Sequence, residues 1–302
     1  MFSIYKKNIP FIQNYKKFYF FSLIYILLSI SLLFFKGLNL GIDFKGGTII
    51  EMKFENQFYA NQIRSKLTDY NLGDVKVKEF GDTSTFLAVF EKKGENNNFV
   101  LEIQKKLETD LNKKINFRRV EVVGPKVSSE LAKSGTYAVL IALVLMLFYI
   151  WLRFEWQFSL GAIIALVHDV LFTLGVFSFL NFEFNLSIIA AILTIVGYSM
   201  NDTVVIYDRI RENLKKDESS SLVELINRSV NETLPRTLKT SITTLLALVS
   251  IYVFGGEILK GFSFAMIWGV IVGTYSSIFV ASPLILIFNV KRDWSEVVDN
   301  TP

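Results

Sequence analysis

Six stretches of this chain are apolar for long enough to cross a bilayer, roughly residues 18–36, 135–152, 158–180, 184–207, 240–259 and 262–289. A spanning helix needs about 20 such residues. Between the first and second stretches, residues 37–133 change pattern. Residues 47–54 (GTIIEMKF) read as a strand, and 58–70 place Ile63 and Leu67 on one helical face. Residues 74–80 alternate, with Val75, Val77 and Phe80 inward, and Gly81-Asp82 marks a turn. Residues 85–91 form a third strand. Val100, Ile103, Leu107 and Leu111 space a second helix, and 115–123 close with a strand. The order β-α-β-β-α-β predicts a small ferredoxin-like α+β domain.

The fold class expected is therefore a membrane α-helical protein with six transmembrane helices and this domain between the first and second spans. Its parts are a short segment with the first span (1–36), the α+β domain (37–133), a five-helix bundle (134–290) with a loop at 208–239, and a tail (291–302). The first span could pass for a signal peptide, but KGLNLGIDF follows it without a small-residue cleavage site, which predicts an uncleaved anchor.

Composition sharpens this reading. Of 302 residues, 51% are hydrophobic, which fits a membrane protein. With no cysteine, disulfides and thiolate metal sites are excluded. The net charge of +4 comes without a basic, aromatic-interleaved run, so nucleic acid is not an expected partner. The basic residues lie unevenly: Lys6, Lys7, Lys16, Lys17, Arg153, Arg209, Arg211, Lys215, Lys216, Arg228, Arg236, Lys239, Lys291 and Arg292 share one side. The positive-inside rule then puts both termini in the cytoplasm and the 37–133 domain outside.

GIDFKGG at 41–47 invites a phosphate-loop reading that fails, because G-x-x-x-x-G-K-S/T needs Lys after its second Gly and here Gly47 follows Gly46. Gly41, Asp43, Gly46 and Gly47 are better placed as a turn from the first span into the first strand.

The informative residues are polar ones inside apolar runs. Asp202 sits in FNLSIIAAILTIVGYSMNDTVVIYDRIREN, where a carboxylate costs about 2.5–3.5 kcal/mol on insertion scales and marks an ion or proton path. It falls about 25 Å along the fourth span at 1.5 Å per residue, with Tyr198 and Ser199 one turn behind and Asn201 on another face. In the third span Gly161, Ala165 and Asp169 continue one row, so Asp169 is expected at a helix–helix interface. His168, the only histidine, is expected to diverge from Asp169 by about 100° and to occupy a separate site. Arg236 lies at the start of the fifth span, where a rearrangement brings it toward Asp202; a static pair and a simple positive anchor are alternatives. Ala265, Gly269, Gly273, Ser277 and Ala281 form a small-residue packing seam on the sixth span, its partner helix unspecified. Ser221 and Glu224 form a capping box, predicted to begin a short amphipathic helix in the loop, interfacial or partner-binding, carrying Leu222, Leu225, Ile226 and Val230.

These motifs carry a resemblance. GIDFKGG (41–47), VGPKVSSELAKSG (123–135), ALVHDVLFTLG (165–175), VGYSMNDTVVIYDRIREN (196–213), NETLPRTLKTSITTL (231–245) and FGGEILKGFSFAMIWGVIVGTYSSIF (254–279) are similar to the SecD/SecF family of protein-export membrane proteins, in the RND superfamily. The match spans nearly the whole chain. It implies an arrangement in which these six spans pair with six from SecD beside the Sec channel. It also implies use of the proton motive force to complete translocation of unfolded preproteins across the bacterial inner membrane, with no cofactor beyond the proton gradient. Asp202 and Arg236 are then proton-coupling residues, with Asp169 at lesser weight and Asn201, Tyr198 and His168 in support. Two other readings stay open, half of a proton-driven exporter and a passive scaffold for the channel. An enzyme is not expected, since no nucleophile–base set, metal cluster or phosphate loop is present.

Overall fold

The computed structural model describes residues 8–91, 97–217, 219–288 and 290. Lys6, Lys7, Lys291 and Arg292 of the basic set lie outside the described residues. Six helices are long and apolar enough to cross a membrane. They are α1 (Tyr15–Phe35), α5 (Pro125–Arg153), α6 (Trp156–Leu180), α7 (Leu186–Lys216), α8 (Leu222–Phe254), and a sixth that runs as α9 (Gly256–Ser276), a π turn (Ser277–Ala281) and α10 (Ser282–Ile287). The third, fourth and sixth spans carry the buried centre, whereas α1, α5 and most of α8 show apolar faces outward. A lone six-helix unit with such open sides has the surface of a protein solvated by lipid or by further helices.

Three expectations about the bundle need correction. Residues 208–239 are not a loop: α7 runs on to Lys216 and α8 starts at Leu222, with only five residues between them. The short helix after Ser221 is not separate from the fifth span. It is the first part of α8, which continues through Pro235. Leu225, Ile226 and Val230 are buried in one cluster with Tyr207, Ile210 and Leu214 of α7, so their amphipathic pattern reflects packing on α7 rather than an interfacial surface. Finally, the fifth span ends at Phe254 rather than at 259, and the next helix starts at Gly256 rather than at 262. The Ser221–Glu224 capping box does form, with Glu224 N donating to Ser221 Oγ at 3.2 Å.

The inserted domain contains β2 (Gly47–Phe54), α3 (Ala60–Asp69), β3 (Val75–Phe80), β4 (Asp82–Phe90), α4 (Asn97–Leu111) and β5 (Ile115–Val123). The sheet order is β3-β4-β2-β5, antiparallel throughout, the arrangement that a ferredoxin-like plan requires. Strand alternation sends Ile50, Met52, Phe54, Val75, Val77, Phe86, Ala88 and Phe90 into one core with Ile63, Leu67, Ile103 and Leu107 of the helices. Phe80 is only half-buried, because the β3–β4 register shifts there.

The two units meet at a joint. A two-residue strand β1 (Asn39–Leu40) pairs in parallel with β6 (Glu183–Phe184), which lies between α6 and α7, and a single turn α2 (Ile42–Lys45) follows β1.

Candidate functional site

The seam on the sixth span has α7 as its partner. Every four residues along both helices a contact recurs. A Cβ on Gly269 would come within 2.3 Å of Ile195, and one on Gly273 within 2.8 Å of the Ser199 Cβ. One turn on, the Thr203 and Ser277 hydroxyls lie 2.8 Å apart, and Tyr207 OH donates to Ala281 O at 3.1 Å. Rows 195–199–203–207 and 269–273–277–281 therefore interlock, and glycine stands where the opposing side chain leaves no room for a methyl. On the other flank, a Cβ on Gly161 of α6 would fall 2.6 Å from Tyr207 OH, so the small row on α6 also packs against α7.

Asp169 closes this three-helix contact. It is 1% exposed. Its Oδ2 accepts from Ser199 Oγ of α7 at 2.6 Å and from Ser276 Oγ of α9 at 2.8 Å, and its Oδ1 lies 2.9 Å from His168 Nδ1. Hydrogen bonds to a charged group contribute roughly 1.5–3 kcal/mol each, so this carboxylate ties α6, α7 and α9 together. The expectation that His168 and Asp169 occupy separate sites is wrong. Their Cβ atoms diverge, but the imidazole is long enough to swing Nδ1 back to the neighbouring carboxylate, and its ring lies 5.4 Å from Phe172 and 6.1 Å from Tyr275. His168 Nε2 has no hydrogen-bond partner among the described residues.

The π turn directly follows Ser276. A π turn leaves carbonyls displaced from their usual partners. Two tyrosines from other helices meet them: Tyr19 OH of α1 donates to Val280 O at 3.0 Å, and Tyr207 OH takes Ala281 O. Ser282 Oγ donates to Ser277 O at 2.7 Å. Thr203, Ser276, Tyr19 and Tyr207 were not singled out from sequence. For Thr203 and Tyr207 the signal lay in the four-residue rows that the fourth and sixth spans share; Ser276 and Tyr19 fall outside those rows.

Asp202 stands next to this contact and is built differently. It is 3% exposed, yet its Oδ2 has no hydrogen-bond partner among the described residues. Its neighbour Thr203 is bonded into the seam through Ser277. Arg236 is exposed on α8, and no hydrogen bond or ion pair joins it to Asp202 among the described residues. Beside Arg236, Thr237 is buried with its hydroxyl also unpartnered. The Tyr198 OH is a third buried and unpartnered group on this stretch, whereas Asn201 is exposed. The structure thus separates the acids. Asp169 is saturated with partners, and Asp202 is left with spare acceptor capacity.

The residues 41–47 form the joint. Gly41 is extended and its N–H donates to Phe184 O at 2.8 Å; a Cβ there would meet Glu183 Oε1 at 2.9 Å. Asp43 Oδ2 accepts from Leu186 N, the first residue of α7, at 2.9 Å. Gly46 and Gly47 have φ of 74° and 140°, a region that favours glycine, and a Cβ on Gly47 would lie 2.7 Å from Phe90 O. No group of three or more potential metal ligands occurs among the described residues.

Comparisons with known proteins place this architecture. A family model for "Protein export membrane protein SecD/SecF, C-terminal" matches residues 103–291, and a "SecD/SecF GG Motif" model matches 31–57. The protein translocase subunit SecF of Calditerrivibrio nitroreducens is 43% identical over 293 residues, covering 94% of this chain and 95% of that protein. The SecF subunit of Rickettsia bellii is 44% identical over 284 residues, with 93% of each covered. Among solved structures, SecDF of Thermus thermophilus, a translocon-associated membrane protein, superimposes with a TM-score of 0.86 at 34% identity. That match covers 96% of this chain and 40% of the SecDF chain, so this chain spans less than half of that larger protein. SecDF in its super-membrane-facing form gives a TM-score of 0.72. This multi-pass chain belongs to the SecD/SecF family of protein-export membrane proteins.

Proposed function

We propose that this chain is the SecF-type subunit of a protein translocase. With a six-span SecD partner, it uses the proton motive force to drive late translocation of unfolded preprotein from the Sec channel across the bacterial inner membrane. Both termini then lie in the cytoplasm and the inserted domain faces the periplasm, as the basic-residue asymmetry requires. The open apolar faces of α1, α5 and α8 supply surface for the partner half and for lipid. Its work is mechanical rather than enzymatic, with the proton gradient in place of a cofactor.

The observation that carries this reading is the buried, incompletely bonded carboxylate of Asp202. A carboxylate in that setting is stabilised either by a proton or by an approaching cation, and Arg236, exposed on the neighbouring helix α8, is the cation assigned to that approach. Movement of α8 against α7 makes or breaks that approach and so exchanges a proton. Asp169 meanwhile holds α6, α7 and α9 as one block. One charge crossing 100 mV is worth about 2.3 kcal/mol, enough to shift a two-state equilibrium roughly 40-fold.

The test is export of a preprotein into membrane vesicles carrying wild-type chain or Asp202→Asn, scored after ATP-driven insertion is complete. Loss of late export in the variant, matching the loss a protonophore causes in wild type, supports the reading. Normal, protonophore-sensitive export in Asp202→Asn removes it.

A further inference from the structure

We infer that Asp43 is a positioning residue that fastens the inserted domain to the start of α7, so that residues 38–45 travel with the helix carrying Asp202. This inference rests on the proposed function and adds the route by which movement leaves the membrane.

The first amides of a helix have no intrahelical partner and need capping. α7 receives two caps from different parts of the chain. Its own Asn185 accepts from Ile188 N at 3.3 Å, and Asp43, 143 positions earlier, accepts from Leu186 N at 2.9 Å. A carboxylate at a helix N-terminus is further favoured by the helix dipole. The segment around Asp43 is also tied to the end of α6 and to the connection from α6 to α7. Ser178 Oγ donates to Gly37 O at 2.7 Å, Asn39 Nδ2 donates to Asn181 O at 3.2 Å, and β1 pairs with β6. The Phe44 and Phe184 rings lie 5.7 Å apart.

Immediately after this fastened segment the chain reaches Gly46 and Gly47 and enters β2, an interior strand of the sheet. The domain's return crossing is adjacent, because Gly47 pairs with Val123, after which Gly124 leads into α5. The domain therefore hangs from two neighbouring glycine-bearing crossings, and one of them is bonded to the first turn of α7. Edge strand β3 adds Lys76 Nζ to Asn39 Oδ1 at 3.2 Å and Lys78 to Glu183 at 3.9 Å. A displacement of the domain-side end of α7 thus passes through Asp43 into the middle of the sheet.

The experiment uses vesicles containing the full chain with its SecD partner, with late export and Asp202-dependent proton uptake both measured. Asp43→Ala is expected to lower late export at least tenfold while proton uptake persists. Asp43→Asn keeps an acceptor for Leu186 N and is expected to restore export to within twofold of wild type. The chain has no cysteine, so Gly41→Cys with Asn185→Cys introduces a single defined pair. The Gly41 Cβ position lies 3.3 Å from Asn185 Cβ, just short of the range of about 3.5–4.5 Å for disulfides, which a small outward shift reaches. A joint that moves as one body exports equally well oxidised and reduced. Wild-type export by Asp43→Ala, or export stopped by oxidation and restored by reductant, overturns the inference. If Asp43→Ala fails to accumulate, the cross-link result decides. Export by wild type that ignores a protonophore would instead sink the proposed function and leave the joint's rigidity to be read from the cross-link.

Discussion

Replacing Gly269 with alanine should weaken the α7–α9 contact, and truncating the side chain opposite should relieve it. The alanine Cβ would stand 2.3, 2.4 and 2.8 Å from Cγ1, Cδ1 and Cγ2 of Ile195. Carbon atoms prefer about 3.5–4.0 Å, so the helices must part by about an ångström or Ile195 must leave its rotamer. Overpacking of this kind costs about 1–3 kcal/mol, and the helix-propensity gain of Gly→Ala returns at most about 1 kcal/mol. Ile195 is 1% exposed, so Ile195→Ala alone should cost about 2–5 kcal/mol as a cavity. It removes all three atoms that the new methyl strikes. The double variant should therefore be more stable than the sum of the singles by about 1–3 kcal/mol. The assay is denaturant unfolding of the purified full chain in detergent micelles, run as a double-mutant cycle. Additivity within about 0.5 kcal/mol would refute the direct knob-into-gap contact and with it the register of the two helices.

Three further outcomes follow from the same geometry. Asp169→Leu leaves Ser199 and His168 without their acceptor, at about 1–3 kcal/mol for each orphaned group, while Ser276 keeps Gly273 O; it should be among the most destabilising single changes in the same unfolding assay. Tyr207→Phe removes the donor to Ala281 O and should cost about 0.5–1.5 kcal/mol; an unchanged unfolding free energy in the same assay would argue against the bond. Asp217 is held below the usual carboxylate range by the Ser220 hydroxyl and amide and by Arg228. Its support for the α7–α8 turn is complete above the unfolded value near pH 3.9 and is lost as pH falls through the lower folded value. The thermal midpoint of wild type should accordingly drop more on acidification below about pH 4 than that of Asp217→Asn; parallel curves would exclude this role.

Much of the architecture was legible because its signals are local and periodic. Six apolar runs, the alternation of Val75 and Val77, and the spacing of Ile103 and Leu107 each follow from one element's own pattern. The small row from Ala265 to Ala281 announced close packing, but a row names its partner only when the opposing row is read beside it, and α7 hid its half within an otherwise apolar span. The π turn has no sequence marker, since it reflects carbonyls satisfied by Tyr19 and Tyr207 from distant positions. The fifth span was expected to start near Arg236, yet packing of Leu225, Ile226 and Val230 on α7 carries one helix from Leu222 through Pro235. The pairing of His168 with Asp169 was missed by reasoning from Cβ directions to side-chain tips. Asp43 was placed in a turn, but its bond to Leu186 N joins segments 143 positions apart, beyond what local pattern conveys.

The central claim is that Asp202, rather than the saturated Asp169, exchanges the proton that drives movement. Its most direct test is proton uptake by vesicles containing the full chain and its SecD partner, measured during export for wild type, Asp202→Asn and Asp202→Glu. The account predicts uptake coupled to export in wild type, loss of both with Asn, and partial recovery of both with Glu. Proton uptake and late export that persist together in Asp202→Asn would contradict it.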